Sequence, residues 1–411
     1  MKKKKKKDEG EVKVYFPGLN GLRFFAAMLV VFGHVELLKE YHGYSNIHSN
    51  LAVYELGRMG VTFFFVLSGF LISYLLLAEQ KSTGTISIRK FYIRRVLRIW
   101  PLYFLIVILA FFVLPRLPFF NTPGLSAELP VYFKYTLPLF VLFMPQLALS
   151  LYPPVPYAEP LWSIGVEEQF YLLWPLLVKH TRRFLALAAG IVIAGFLVKQ
   201  LAYMIASGSR DAGAIKYWNY FISYFYFTRM ECMAVGAIGA WLVFRKKSTA
   251  LKLIYHPATQ VAVYALTLGA LITEAFKPVF NYTLHSVLFC AIILNIGTNP
   301  HSLVKAESRA LIFLGNISYS IYMLHEIAIK ICMGLLTRIN GTTFNDAASN
   351  IALYSASTAL TLLLASVTYL FYERKFLRLK SAFAIIPSGN DVREKQEGLK
   401  ESTKATLATG F

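Results

Sequence analysis

The chain has 411 residues, of which 56% are hydrophobic and 15% aromatic, and its mean hydropathy is +0.51. Because the apolar residues form long continuous runs, the composition excludes an ordinary soluble protein and the alternating strands of a membrane β-barrel. The net charge of +20 fits the positive-inside rule and contact with anionic membrane lipids, so we expect no nucleic-acid partner. We predict an all-α, polytopic membrane helical bundle.

The chain begins with a basic tail, residues 1–17, in which we interpret Lys2–Lys7 as solvated cytoplasmic side chains. Acidic residues follow rather than a short apolar stretch and a cleavage site, so we expect no cleaved signal peptide. Residues 18–380 form the predicted membrane domain, and the polar residues 381–411 a disordered cytoplasmic tail. Three cysteines lie in apolar runs without metal-ligand spacing, and we expect neither disulfide nor metal: Cys232, Cys290 and Cys332.

Ten apolar runs predict transmembrane helices. They are residues 20–38, 60–78, 99–115, 161–178, 184–206, 219–244, 258–276, 283–298, 310–336 and 350–372. Basic residues cluster before the first run and after every even-numbered run, which predicts that both termini are cytoplasmic.

One further apolar stretch, residues 131–149, is barely long enough for a crossing and is interrupted by proline. It contains Pro138 and Pro145, and counting it would move every later basic cluster to the opposite side. We predict a re-entrant or interfacial segment within the outer loop 116–160, where it covers the site.

The first span carries Arg23 and His34, eleven residues apart. At about 3.6 residues per turn, both side chains project from one face, about 16 Å apart along the axis. Charged groups in a bilayer face a bundle interior or a wet cavity, and histidine titrates near neutral pH. The helix is predicted to line a polar path, although an interfacial histidine and a snorkelling arginine would give the same pattern.

The third span begins with KFYIRRVLRIWPLY, in which Arg95 and Arg98 share one side of a helical turn. Guanidinium groups match phosphate oxygens in shape and charge, which favours a phosphate clamp. Topology alone would also place arginines after a span. In the second span, the pair Ser68-Gly69 favours close helix packing, because no G-x-S-x-G frame surrounds the serine.

The fourth span carries Glu167 and Glu168 after Trp162 and Ser163. Ser163 is predicted to cap the helix, and adjacent carboxylates point about 100° apart, so at least one should face the cavity. Either glutamate is a candidate to orient His34 or to bind a sugar hydroxyl.

Two later spans also carry ionisable residues. The sixth has Arg229 with Glu231, and the ninth has His325 with Glu326. We interpret His325 as a core histidine that hydrogen-bonds to neighbouring tyrosines, Tyr319 and Tyr322 among them.

Taken together, these segments resemble the membrane acyltransferase family called acyltransferase-3, which O-acylates bacterial surface glycans. The segments are GLNGLRFFAAMLVVFGHV, FFFVLSGFLIS, KFYIRRVLRIWPLY, LWSIGVEEQFYLLWP, RMECMAVGAIGAWL and ISYSIYMLHE. The family's arginine-x10-histidine pair matches Arg23 and His34, and its arginine-x-x-arginine motif matches Arg95 and Arg98. The resemblance implies a place in the bacterial inner membrane, and we expect no appended esterase-like domain of the kind found in some members.

The resemblance implies a donor, acetyl-CoA or another acyl-CoA, and a lipid-linked or polymeric sugar acceptor. We expect catalysis from His34, Glu167 and Arg23, with donor binding by Arg95, Arg98 and Arg23. Tyrosines of the outer loop and Trp162 can stack on sugar rings or belong to an interfacial belt. The candidate substrate-binding residues are Ser68, Trp162, Ser163, Glu168, Arg229 and His325.

A polytopic carrier or exporter without acyl-transfer chemistry is the alternative. It would explain the intramembrane charges Arg229, Glu231 and His325 as a translocation or proton path. A transporter should show inverted repeats and broken helices in both halves, and the sequence shows neither. A non-enzymatic assembly factor has no feature that favours it.

Overall fold

A computed structural model describes residues 14–208, 212–272 and 278–389, and these residues form sixteen α-helices. The helices are α1 (Leu19–Tyr41), α2 (Leu51–Thr83), α3 (Ile88–Ile108), α4 (Leu125–Val141), α5 (Pro145–Leu151), α6 (Leu161–His180), α7 (Phe184–Gly208), α8 (Ala212–Phe227), α9 (Met230–Phe244), α10 (Ser248–Tyr255), α11 (Pro257–Ile272), α12 (Pro278–Thr298), α13 (Arg309–Asn316), α14 (Ser318–Asn340), α15 (Ala347–Thr368) and α16 (Arg374–Ser381). Short π-helical turns at Leu109–Val113 and Tyr369–Glu373 extend α3 and α15. The prediction of an all-α fold is confirmed.

Seven helical stretches among the described residues are long and apolar enough to cross a membrane. They are Leu19–Tyr41, Leu51–Thr83, Ile88–Arg116, Phe184–Gly208, Ile215–Phe244, Ser318–Ile339 and Ala347–Ser381. A shorter apolar helix, Tyr282–Thr298, lies at the predicted eighth span. The predicted spans 161–178 and 258–276 coincide with α6 and α11, apart from residues 273–276, which lie outside the described ranges. The protein is therefore a polytopic helical membrane protein, while the count of ten crossings stays a prediction.

Several predicted spans differ from the observed helices, and the third begins at Ile88, eleven residues earlier than predicted. The second begins at Leu51, nine residues earlier than predicted, because the Asn50 side chain caps the helix by accepting from the Ala52 N–H at 3.0 Å. The sixth span is broken at Thr228 and Arg229, where the backbone leaves helical geometry. The ninth is divided at Ile317 into α13 and α14.

The outer segment 131–149 forms two helices, α4 and α5, separated by a tight turn. Phe143 occupies this turn with a φ of 56°, and Pro145 begins α5. The Tyr103 hydroxyl donates to the Phe140 carbonyl at 2.7 Å, and the Gln169 amide donates to the Phe143 carbonyl at 2.9 Å. The segment therefore packs on α3 and α6, while its re-entry into the membrane stays a prediction.

Two glycines let α2 and α9 approach to backbone contact. A Cβ on Gly69 would lie 1.9 Å from the Met233 carbonyl oxygen, and one on Gly236 would lie 2.0 Å from the Val66 oxygen. Small residues are the usual means of close helix contact in membrane proteins. Gly69 thus has the packing role predicted for the Ser68-Gly69 pair, and the contact fixes the face that α2 turns toward the site.

The ends of the described chain pair with each other. The Val14 N–H donates to the Pro387 carbonyl at 3.0 Å, and the Gly389 N–H donates to the Val14 carbonyl at 3.2 Å. The first residues of the predicted disordered tail, up to Gly389, are therefore bonded to the bundle. Residues 1–13 and 390–411, the rest of the two predicted tails, lie outside the described ranges.

Candidate active site

A cavity that we call the inner cavity lies between α1, α2, α3, α6 and α14. It encloses about 770 Å³, counting space open to solvent. Its polar lining comprises Arg23, Ser68, Arg95, Arg98, Ser163, Glu167, Tyr171, Ser318, Tyr319 and Tyr322. Five separate helices thus contribute polar side chains to one space inside an apolar bundle.

Three arginines from two helices meet in the inner cavity. Arg95 and Arg98 line it from α3, and Arg23 lines it from α1. Arg23 donates to the Asn20 side chain at 3.2 Å, and the Arg95 guanidinium lies 5.7 Å from the Tyr171 ring centroid. The structure therefore brings together the three cations that the sequence analysis assigned to a donor phosphate.

Glu167 balances part of this charge. It accepts hydrogen bonds from the Ser68 hydroxyl at 2.9 Å and from the Tyr171 hydroxyl at 2.8 Å. Its neighbour Glu168 points elsewhere and accepts from the Trp100 indole at 3.0 Å. The expectation that one of these glutamates orients His34 is wrong, because Glu167 is held on the arginine side of the cavity and Glu168 against α3.

A second cavity, which we call the vestibule, continues the inner cavity toward the basic end of the bundle. It encloses about 1490 Å³, counting open solvent, and shares Arg23, Arg95 and Arg98 with the inner cavity. The sequence analysis missed three further cations of its lining: Arg374, Arg378 and Lys380. They lie on α16, directly after the last predicted span. Basic residues are expected there from the positive-inside rule alone, so nothing in the sequence indicated that they line a cavity.

His34 belongs to a group that we call the histidine cluster, His34, His325 and Glu326. The His34 Nε2 lies 3.6 Å from the Glu326 Oε1, and the two histidine rings meet edge to face with centroids 4.7 Å apart. The His34 Nδ1 lies 2.9 Å from the Val30 carbonyl oxygen, and the His325 Nδ1 lies 2.7 Å from the Tyr322 carbonyl oxygen. Since a carbonyl can only accept, each Nδ1 carries the proton and each Nε2 presents a lone pair.

The histidine cluster thus collects three acceptors and no donor of its own. One ligand atom from each residue lies within 4.8 Å of the others, and the His325 Nε2 is buried without a hydrogen-bond partner. A hydroxyl proton, a shared proton or a divalent cation would satisfy this arrangement, and imidazole with carboxylate is a donor set that zinc accepts. The two lone pairs make the cluster suited to removing a proton from a bound hydroxyl.

The interpretation of His325 as a core histidine bonded to a neighbouring tyrosine is confirmed only in part, because the ring is fully buried and reaches Tyr322 but its Nε2 has no hydrogen-bond partner. Its Nδ1 bonds to the backbone of Tyr322, while the Tyr319 hydroxyl donates to the Ile99 carbonyl at 2.8 Å. Glu326, the partner of His34, was not among the predicted site residues. The sequence feature that could have identified Glu326 is its position next to His325, since two adjacent ionisable residues are rare inside an apolar helix.

Tyr322 connects the histidine cluster with the inner cavity. Its side chain lines the cavity and its carbonyl accepts from His325, whereas His34 is not among the described residues of the cavity lining. The Tyr322 hydroxyl shares a 2.7 Å hydrogen bond with the Ser163 hydroxyl. Ser163 is not the predicted helix cap, since α6 begins two residues earlier at Leu161.

A small pocket on the other side of the cluster, which we call the outer pocket, includes Tyr41, Tyr157, Glu159 and Glu326 in its lining. The Tyr41 hydroxyl donates to Glu159 at 2.9 Å. Burial raises the pKa of the Glu159 carboxyl, and the hydrogen bond from Tyr41 offsets only part of this effect. Glu326 therefore belongs both to the histidine cluster and to a pocket formed with the outer loop.

Trp162 and Arg229 lie against each other inside the bundle. The Arg229 guanidinium is 5.3 Å from the Trp162 ring centroid and 3.5 Å from that of Tyr282. It donates to the Thr62 hydroxyl at 3.0 Å. Trp162 is only 7% exposed, so the expectation that it stacks on sugars at the surface of the outer loop is wrong. Its ring instead makes a cation–π contact with the buried Arg229.

The fold and these cavities define a helical membrane protein with a cation-lined interior space next to the histidine cluster. The sequence profile of the acyltransferase domain family, acyltransferase-3, matches residues 16–370, and the chain belongs to this family. The resemblance stated from the motifs is thereby confirmed.

Curated relatives carry matching names. The chain is 27% identical to the O-acetyltransferase OatA of Staphylococcus aureus strain NCTC 8325 / PS 47, over 91% of the chain and 59% of the relative. It is 24% identical to a putative O-acetyltransferase of S. aureus strain COL, over 88% of the chain and 57% of the relative. The chain thus spans somewhat more than half the length of these relatives. No solved structure matches it.

Proposed function

We propose that the protein is an integral membrane O-acyltransferase that moves an acetyl group from acetyl-CoA to a hydroxyl of a cell-surface or lipid-linked glycan. The observation that carries the proposal is the order of the site: vestibule, three arginines, Tyr322, histidine cluster, outer pocket. This order offers a phosphate-binding end and a proton-accepting end along one axis. The family and the names of the relatives support the same reaction.

The donor binds from the cytoplasmic side. Positive-inside topology places the vestibule there, because the basic clusters flank it. Arg23, Arg95 and Arg98 hold the diphosphate of CoA, and the pantetheine arm carries the thioester into the inner cavity. Guanidinium groups give bidentate, charge-assisted hydrogen bonds to phosphate, which suits an anion that must be held at a membrane surface.

His34 acts as the general base. Its Nε2 lone pair takes the proton of the acceptor hydroxyl while the hydroxyl oxygen attacks the thioester carbonyl. The carbon–sulfur bond breaks, and the CoA sulfur takes the proton back from the imidazolium. Glu326, 3.6 Å away, stabilises the imidazolium that forms between these two steps.

A covalent variant uses the same atoms. The His34 Nε2 attacks the thioester itself, the carbon–sulfur bond breaks, and CoA leaves as the thiolate with an acyl-imidazolium left behind. The acceptor hydroxyl then takes the acetyl group, the neutral imidazole is released, and the hydroxyl proton converts the thiolate to the thiol. In both variants the acceptor approaches through the outer pocket, where Glu159 and Tyr41 can hydrogen-bond to a sugar. The protein remains in the bacterial inner membrane with both termini in the cytoplasm.

The alternative of a carrier without chemistry gains no support from the intramembrane charges. Glu231 forms an ion pair with Lys199, and Arg229 is enclosed by aromatic rings and Thr62. These partners lie on neighbouring packed helices, so the charges are already paired within the bundle.

The test uses a strain lacking the gene and mass spectrometry of its surface glycans. Complementation with the wild-type gene should restore one acetyl unit, and His34→Ala, inserted to the same level, should not. Purified protein in liposomes should release CoA from labelled acetyl-CoA when the glycan is supplied. Unchanged glycan mass in the deletion strain, or full activity of His34→Ala, would contradict the proposal.

A further inference from the structure

The helix α16 turns its cations into the vestibule. Arg374 and Arg378 are one turn apart and line this cavity together with Lys380, whereas their exposed neighbour Lys375 is not among the described lining residues. The positive-inside rule explains why cations follow the last span but not why three of them face a space that reaches the bundle interior.

The segment that carries these cations is fixed to the bundle on both sides. Before α16, the Tyr372 hydroxyl donates to the Pro101 carbonyl at 3.1 Å, and the Ser320 hydroxyl donates to Glu373. After it, Arg94 donates to the Phe383 carbonyl at 2.9 Å. The helix is thereby held across the cytoplasmic mouth of the vestibule, with its basic face in a defined place.

The vestibule is strongly cationic. Six cations line it, and no aspartate or glutamate does among the residues that the structure describes: Arg23, Arg95, Arg98, Arg374, Arg378 and Lys380. Like charges in one cavity repel each other, at a cost that falls when a multivalent anion enters. The cavity is therefore built for a ligand with several negative charges.

The two groups of cations reach different parts of such a ligand. Arg23, Arg95 and Arg98 also line the inner cavity, so they face the end of the donor that enters the bundle. The α16 cations line only the vestibule among the described cavities, so they face the opposite end. In an acyl-CoA, the end opposite the thioester is the nucleotide with its 3′-phosphate.

We propose that Arg374, Arg378 and Lys380 of α16 form the binding site for the 3′-phosphate of the donor nucleotide. This inference rests on the proposed use of acyl-CoA. The site makes the protein bind CoA more tightly than donors that lack this phosphate. The thioester itself lies in the inner cavity, away from α16.

Equilibrium binding to purified protein in zwitterionic nanodiscs tests the inference without turnover. Wild-type protein should bind CoA about tenfold more tightly than dephospho-CoA, the effect of losing one charge-assisted contact. Arg378→Ala should weaken CoA binding by the same factor and leave dephospho-CoA binding unchanged. Arg374→Ala and Lys380→Ala should act in the same direction.

Lys375→Ala is the matched control, because it removes one charge from the same helix outside the vestibule. It should leave the affinity for both ligands unchanged. Equal affinity of the wild type for CoA and dephospho-CoA would overturn the inference, as would equal losses for Arg378→Ala and Lys375→Ala. Loss of the preference when anionic lipid is added would show that α16 binds headgroups instead. If the preference for CoA holds but no acetyl transfer occurs, the proposed function fails and the binding site stands.

Discussion

Glu326→Gln removes a charge beside His34 while keeping the shape of the side chain. The two groups are 3.6 Å apart, so at an effective dielectric constant of about 20 a full imidazolium–carboxylate pair interacts by about 4.6 kcal/mol. If half of the positive charge has developed in the transition state, about 2.3 kcal/mol is lost, which corresponds to about a 50-fold fall in kcat. The KM for acetyl-CoA should be unchanged, because Glu326 lies beyond Tyr322 from the donor cations.

The assay is initial-rate transfer from labelled acetyl-CoA in liposomes, with insertion and melting temperature checked for each variant. Glu40→Gln is the control, since this exposed carboxylate lies on the same helix as His34 and pairs with His48 outside the histidine cluster. A folded Glu326→Gln protein with wild-type kcat would refute the role of the pair. So would a rise in KM without a fall in kcat.

The donor cations, the α2–α9 contact and the second histidine each give a further measurable effect. Arg98→Ala should raise the KM for acetyl-CoA about tenfold with little change in kcat, as measured from initial rates. A fall in kcat at unchanged KM would contradict phosphate binding by Arg98. Gly69→Val should abolish a monodisperse peak in size-exclusion chromatography, because its Cβ would overlap the Met233 carbonyl at 1.9 Å; normal elution would count against this packing. His325→Phe keeps an aromatic ring but removes the buried Nε2 of a ring that meets His34 edge to face, so kcat should fall about tenfold at unchanged KM; an unchanged kcat would assign His325 to packing alone.

Local spacing in the sequence was enough to predict that three arginines face one space. Arg95 and Arg98 share a helical turn, and Arg23 lies near the same end of its own helix by the positive-inside rule. Helical spacing and the positive-inside rule each act within one helix or one loop. Both can therefore be applied without knowing how the helices pack. The three cations do line one cavity.

The histidine cluster depended on packing between distant helices. His34 and Glu326 are separated by 292 residues, and α6 offered two other carboxylates of equal merit in the sequence. Periodicity states which face of a helix is polar but not which helix lies against it. The break at Thr228 and Arg229 contains neither proline nor glycine, so no local signal marked it.

Transfer through the bundle can be measured directly in sealed, inverted inner-membrane vesicles given labelled acetyl-CoA on their exposed cytoplasmic face. The account predicts label on luminal glycan, protected from added esterase until detergent is present, and none with His34→Ala. Label that appears only after the vesicles are permeabilised, or on the exposed face alone, would contradict a donor site and an acceptor site at opposite ends of one path.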